Sequence, residues 1–304
     1  MKFPGLSDSR VLPPALRGPF DAESRRWLDA LEVAAYDPIN NLRPCRLKPI
    51  PCGRLAIVQG GRRTGVGIPV LGYLLRTPDE LIVVDCGLSP PPSGGGRVHL
   101  GPEDSPSPGT PYLPELDGPS LAEQVAAMGL KPDRVICTHL HEDHSSGAPD
   151  LGLPVEASTT EWARLDEPEA ELMGYPVAEL AGVQRRSIEL DPSASLGPFV
   201  ASARINADVI AVDTAGHTPG SISILACLGA AWVLICGDAV YPRMDQAESP
   251  AWRGMLRVSR ALQDVRALRL LPAHDTTVLR AVEGDAWMGT DAVPAGDEGD
   301  SHRH

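Results

Sequence analysis

Three histidines and an aspartate stand within six residues in Thr138-His139-Leu140-His141-Glu142-Asp143-His144. Imidazole nitrogen and carboxylate oxygen suit zinc, and to a lesser degree iron or manganese. Side chains alternate along a strand, so His139 and His141 at a strand's end point to the same side. The chain must then turn, which lets Asp143 and His144 aim at a second point. A polar surface turn has no need of four ligand-type residues at this spacing, so the stretch reads as a metal site.

One motif supplies too few groups for two ions, and further candidates stand at the mouths of predicted strands. Ala215-Gly216-His217-Thr218-Pro219-Gly220 places a histidine in a tight turn, Cys236-Gly237-Asp238 a carboxylate after an apolar run, and Pro272-Ala273-His274-Asp275 another histidine. Taken singly, each would pass for a structural histidine or a turn aspartate; together with the upstream cluster they read as ligands. His302 and His304 belong to a terminal tail and are left out of any site.

The elements that must position these residues are legible in outline. Val66–Arg76 and Leu81–Asp85, joined by Thr77-Pro78-Asp79-Glu80, read as a β-hairpin. Ser120-x-x-Glu123 is a capping box for a helix that carries Leu121, Val125 and Met128 on one face and ends at Gly129 and Pro132. Val135-Ile136-Cys137 is a short buried strand leading into the first motif, and 208–214, 221–228 and 231–236 read as successive strands. Residues 255–269 read as a helix with Leu262, Val265 and Leu268 inward, and residues 22–36 as an amphipathic helix. Two groups of strands with helices outside suggest two sheets packed face to face and covered by helices. The expected organisation is an extension over 1–50, one domain over 51–285 and a frayed tail over 286–304. Residues 88–119, dense in Pro, Gly and Ser, and residues 158–190, with Trp162, Met173 and Tyr175, read as insertions.

The bulk numbers narrow the class. The chain has 304 residues, 42% hydrophobic and 22% charged, ordinary values for a globular protein with a large core. A formal charge of −13 argues against a nucleic-acid partner, since phosphate binding needs a local excess of Lys and Arg. The start, MKFPGLSDSRVLPP, lacks an apolar core of signal-peptide length, and no stretch approaches a membrane span. The six cysteines form no Cys-x-x-Cys pair and four sit in apolar runs; a Cys45–Cys52 disulfide is conceivable, but a reducing cytoplasm is the simpler expectation.

His139-Leu140-His141-Glu142-Asp143-His144, with Gly216-His217-Thr218-Pro219-Gly220, Gly237-Asp238 and Ala273-His274, resembles the metallo-β-lactamase superfamily; Val83-Val84-Asp85-Cys86-Gly87 is similar to its early strand–turn motif. The resemblance runs from about Val66 to His274 and implies a four-layer αββα sandwich. It implies one metal on His139, His141 and His217 and another on Asp143, His144 and His274, with Asp238 and a hydroxide bridging them. Asp85 would orient a ligand histidine, although on local grounds it could equally cap a turn.

Two such cations, zinc by default and iron or manganese as alternatives, would make hydroxide available at neutral pH for attack on a carbonyl, and Asp143 could return a proton to the leaving group. Asp238-Ala239-Val240-Tyr241 resembles a segment of the N-acyl-homoserine lactonases of that superfamily, in which the phenol reaches the substrate carbonyl. That likeness implies oxyanion stabilisation by Tyr241; the bland alternative is an aromatic that packs beside the site. The leading expectation is therefore hydrolysis of a lactone or similar ester. A thioester hydrolase of the glyoxalase II or acyl-carrier type is the runner-up, and a nuclease of the same fold comes third, disfavoured by the acidic balance. A flavodiiron redox protein is disfavoured further, because those resemble His-x-Glu-x-Asp-His at the first motif and need an attached flavin domain, and a metal-folded binding module would be favoured only if ligands were missing. The partner expected is a small-molecule substrate, with a homodimer contact conceivable through the N-terminal extension.

Overall fold

The computed structural model describes residues 42–90, 99–100, 111–194, 199, 201–228, 232–239, 268–275, 278 and 287–289. The helix expected over 22–36, Tyr241, His302 and His304 lie outside the described residues, as does the expected helix up to residue 267.

The first sheet grows from a long hairpin, β1 (Arg46–Gln59) and β2 (Arg62–Arg76), whose register runs from Arg46↔Arg76 to Gln59↔Arg62 with two irregularities. β2 turns back into β3 (Leu81–Val84), pairing Arg76↔Leu81 through Tyr73↔Val84, the expected hairpin. β4 (His99–Leu100) and β5 (Pro111–Glu115) extend the sheet beyond β1. On the other side come β6 (Arg134–Ile136), β7 (Val155–Ser158) and β8 (Arg185–Ile188), parallel to β3 and to one another. The order is β4-β5-β1-β2-β3-β6-β7-β8.

The second sheet contains β9 (Ser202–Arg204), β10 (Val209–Asp213), β11 (Ile222–Cys227), β12 (Trp232–Gly237) and β13 (Leu268–Pro272), in the order β13-β12-β11-β10-β9. β13 lies parallel to β12. Leu268 and Arg269, expected as the last turn of a helix, are therefore strand. Leu268, Leu270 and Leu271 satisfy an apolar run that either period could use, and pairing with Trp232–Ile235 decides it.

Alternation of side chains along β2 and β3 sets the layers. Leu71, Tyr73, Ile82 and Val84 share a core cluster with Val209, Ala211, Ile224, Val233, Ile235 and Leu271 of the second sheet. Val70, Leu74, Leu81 and Val83 face the other way, onto α1 (Leu121–Ala127) and α3 (Thr159–Leu165) through Leu121, Val125, Trp162 and Leu165. Between them in sequence lies α2 (Glu142–Ser145), and α4 (Val177–Leu180) follows. Two mixed sheets thus pack face to face with helices outside the first, the sandwich expected. Burying each large apolar side chain contributes on the order of 1.5–3 kcal/mol.

The capping box forms as predicted: Glu123 N donates to Ser120 Oγ at 3.2 Å and Ser120 N to the Glu123 carboxylate at 2.8 Å. At the borders of the domain, Leu47 and Met288 are both buried and pair as a β-bridge, so packed structure reaches outside 51–285 at each end. Cys45 and Cys52 are buried and not bonded to each other. Among the described residues, no helix is long and apolar enough to cross a membrane.

Candidate metal centre

Strand direction brings the candidates to one place. β3 and β6 are parallel, so Asp85 and the His139–His144 stretch leave the first sheet at the same edge. In the second sheet β11 is antiparallel to both β10 and β12, and β13 is parallel to β12. β10, β12 and β13 therefore end together, delivering His217, Asp238 and His274. Contacts across the sandwich fix the two edges against each other. Ile222 N donates to Thr138 O at 2.8 Å, and Tyr73 Oη to Pro272 O at 2.8 Å. Gly237 has a φ of +51°, and a Cβ there would lie 2.2 Å from Thr138 Oγ1, so glycine is what allows β12 to end against the first motif.

All seven expected ligands converge. Ligand atoms of His139, His141 and His217 lie within 4.8 Å of one another, as do those of His139, His144 and Asp238, and those of Asp143, His144 and His274. His217 Nε2 faces His141 Nδ1 at 2.9 Å. Asp238 stands between the outer groups: Oδ1 is 3.1 Å from both His144 Nε2 and His274 Nε2, and Oδ2 is 3.5 Å from His217 Nε2. Asp143 Oδ2 is 3.4 Å from His274 Nε2 and 3.7 Å from His144 Nε2. Zinc bonds of about 2.0–2.1 Å at tetrahedral angles hold ligand atoms roughly 3.3 Å apart, so these spacings fit a pair of divalent ions. The strongest local sign is His139 Nε2, which is buried with no hydrogen-bond partner among the described residues. A nitrogen in that position is costly unless something takes its lone pair.

The neighbours of the ligands set their tautomers. His144 Nδ1 donates to Asp85 Oδ2 at 2.9 Å, which turns Nε2 towards Asp143 and Asp238. His274 Nδ1 donates to Pro69 O at 2.6 Å, with the same result for its Nε2. Asp85 also accepts from Thr138 N at 2.7 Å and Thr138 Oγ1 at 2.9 Å. It is buried and holds a φ of 56°, a conformation that costs a non-glycine residue free energy. Its carboxylate thus lies against His144 Nδ1, and its three side-chain hydrogen bonds help hold the strained backbone.

Burial, reinforced by neighbouring imidazoles, holds His139 well below its ordinary value. Burial likewise brings His141 down to about 4 and His217 to about 3. Burial acts the same way on His144 and His274, but Asp238 and Asp143 outweigh it and raise both. Burial would raise Asp238, yet His274 and His144 hold it well below the carboxylate range. The first three histidines therefore offer lone pairs at neutral pH, whereas a cation at His144 and His274 must displace protons, so its uptake tightens as pH rises.

The stability of the metal-free chain follows with a definite sign. Unfolded histidines take protons below about 6.5 while His139, His141 and His217 in the fold do not, so stability falls as pH drops from 6.5 towards 4. The stabilisation from protonated His144 and His274 is complete below 6.5 and is lost as pH rises through their raised values. The denaturation midpoint of the chelator-treated protein should therefore peak near pH 6.5. A midpoint climbing steadily from about pH 5 to 8 would contradict this assignment of charges.

Two aromatic residues near the centre carried no role in the sequence reading. Tyr175 packs its ring edge-on against His141, with centroids 5.1 Å apart. Tyr112, half-buried on β5, has its phenol pushed up by burial and by the charges of Asp143, Glu142 and Asp238. Each sits in a segment read as an insertion, and a lone tyrosine there carries no spacing to mark it. Tyr241 lies outside the described residues.

A family model described as the metallo-beta-lactamase superfamily matches residues 65–274. A probable metallo-hydrolase of Mycobacterium tuberculosis is 28% identical over 201 residues, 60% of this chain and 61% of that protein. The chain thus spans about three fifths of the length of that curated relative. Among solved structures, that of a quorum-quenching N-acyl homoserine lactone hydrolase is 21% identical with a TM-score of 0.57, covering 77% of this chain and 94% of that one. Another N-acyl homoserine lactone hydrolase, with its product N-hexanoyl-L-homoserine bound at the catalytic metal centre, is 19% identical with a TM-score of 0.57, covering 80% and 98%. At these identities the likeness is one of fold. With two thirds of its length under the family model and the seven ligand-type side chains gathered at one edge of the sandwich, the chain belongs to the metallo-beta-lactamase superfamily.

Proposed function

We propose that the protein is a two-metal hydrolase that opens a lactone or similar carboxylic ester. The observation that carries the hydrolase reading is the convergence of His139, His141, His217, Asp143, His144, His274 and Asp238 into adjoining clusters. Zinc is the ion that the nitrogen-rich donor set favours, with iron and manganese as alternatives. His139, His141 and His217 would hold one ion, Asp143, His144 and His274 the other, and Asp238 both. Bound there, such ions supply a hydroxide at neutral pH and polarise the carbonyl it attacks.

The chain's own residues do the rest. Asp85, through His144 Nδ1, and Pro69 O, through His274 Nδ1, hold two ligand rings in the tautomer that presents Nε2. Asp143 has a small exposed fraction at the site, so its carboxylate can take the proton given up by the attacking oxygen and pass it to the leaving oxygen. Tyr241, three residues past Asp238, would donate to the oxyanion as the carbonyl becomes tetrahedral. The choice of a lactone is supported by the Asp238-Ala239-Val240-Tyr241 spacing and by the fold shared with lactone hydrolases. The charge of −13 supports a small-molecule substrate over a nucleic acid, and six free cysteines support a reducing compartment such as the cytoplasm.

The test is turnover by purified, metal-loaded protein of an N-acyl homoserine lactone, an aryl ester, an acyl thioester and a phosphodiester reporter. Lactone or ester opening is expected. Turnover of the thioester alone would sink the proposal in favour of a thioesterase, and turnover of the phosphodiester alone in favour of a nuclease.

A further inference from the structure

The three histidines of the first cluster come from two loops far apart in sequence. His139 and His141 follow β6, and His217 follows β10. A carboxylate from a third element reaches both loops. Glu161, in the first turn of α3, is fully buried. Its Oε2 accepts from Leu140 N, the amide between His139 and His141, at 2.9 Å. Its Oε1 accepts from Thr218 Oγ1 at 2.5 Å and Gly220 N at 3.1 Å, directly after His217.

The surroundings are shaped for this contact. Ser158, the N-cap of α3, donates to Gly220 O at 2.7 Å while accepting from Glu161 N at 3.2 Å. A Cβ on Gly220 would lie 2.6 Å from Glu161 N and from Ser158 Oγ, and 2.8 Å from Glu161 Oε1. The loop carrying His217 can therefore sit on the helix start only because residue 220 has no side chain. Tyr175, the residue whose ring packs against His141, also lies beside Glu161.

We infer that Glu161 is a positioning residue for the metal centre, a clasp whose two oxygens set the distance between the His139–His141 loop and the His217 loop so that the three imidazoles meet one ion. This rests on the assignment of one ion to His139, His141 and His217, and is independent of the choice of substrate. A carboxylate is suited to the task because both its oxygens accept, whereas a carboxamide has one acceptor and must give up one loop. Outer groups of this kind typically change metal affinity by about 10–100-fold when removed.

The experiment titrates zinc into metal-free protein against a competing chelator, and follows cobalt(II) absorption, for wild type, Glu161→Gln, Glu161→Ala and Thr218→Val. Thermal stability of each metal-free variant is measured in parallel. Wild type should take up two ions. Glu161→Gln should weaken one of them by roughly 10–100-fold, leave the other unchanged and alter the cobalt spectrum of the weakened site. Thr218→Val, which removes a single donor, should give a smaller shift of the same ion. Should Glu161→Ala fail to fold, the other two variants carry the test. Folded variants that hold both ions as tightly as wild type would overturn the proposal. So would equal weakening of both ions, which would mark Glu161 as a general stabiliser. A wild-type chain that takes up no ion would overturn the metal assignment and this proposal with it, whereas failure to open lactones would leave it standing.

Discussion

Asp238→Ala should bind at most one divalent ion where wild type is expected to bind two, and should lose ester hydrolysis to below detection. Its carboxylate lies near histidines of both proposed sites, with Oδ1 3.1 Å from His144 Nε2 and His274 Nε2 and Oδ2 3.5 Å from His217 Nε2. Alanine leaves imidazoles around a gap with Asp143 as the remaining carboxylate among the ligands. Without metal, the loss also strips His144 and His274 of the anion that contributes most to raising them. Breaking a buried charge pair from one side costs on the order of 3–5 kcal/mol, so the metal-free variant should also melt earlier. His141→Ala should lose one ion in the same way, from the first cluster. Elemental analysis beside rate measurements decides it: full activity in a metal-free sample of either variant would end the two-metal reading.

The ligands were legible in the sequence because their types are unusual for strand ends and their spacing leaves little room for a packing explanation. The sequence did not carry their convergence by itself. That depends on β3 running parallel to β6 and on β11 reversing between β10 and β12. The period-2 pattern was clear where one face meets the other sheet and the other meets helices, as in β2 and β3. It was hidden in β1, where Pro49 and Pro51 argue against a strand. The structure accommodates them because β5 pairs with β1 only over Arg54–Ile57, so the prolines lie where β1 has its main ladder with β2 alone. β4 and β5 were hidden by the Pro, Gly and Ser of the segment that contains them. The site contacts of Glu161 and Tyr175 were invisible for a different reason. They are tertiary contacts, with Leu140, Thr218 and Gly220 or with His141, that no local spacing announces.

Tyr241→Phe should keep both metal ions and lower the rate of lactone opening by roughly 100-fold, the cost of removing one donor from an oxyanion. The substitution deletes a hydroxyl and leaves the ring, so a residue that only packs beside the site would show almost no change. A hydrogen bond that strengthens as charge develops on the carbonyl oxygen belongs to the transition state, so the loss should fall on kcat with KM little altered. Tyr112→Phe is the informative comparison. Tyr112 stands in the field of Asp143, Glu142 and Asp238, negative charges that burial and proximity make unfavourable for a phenolate, so its hydroxyl stays protonated and able to donate. An unchanged rate in Tyr241→Phe together with a large loss in Tyr112→Phe would transfer the donor role to β5. Unchanged rates in both would leave the metals to stabilise the oxyanion without a phenol, and would remove the chief reason for preferring a lactone to a thioester.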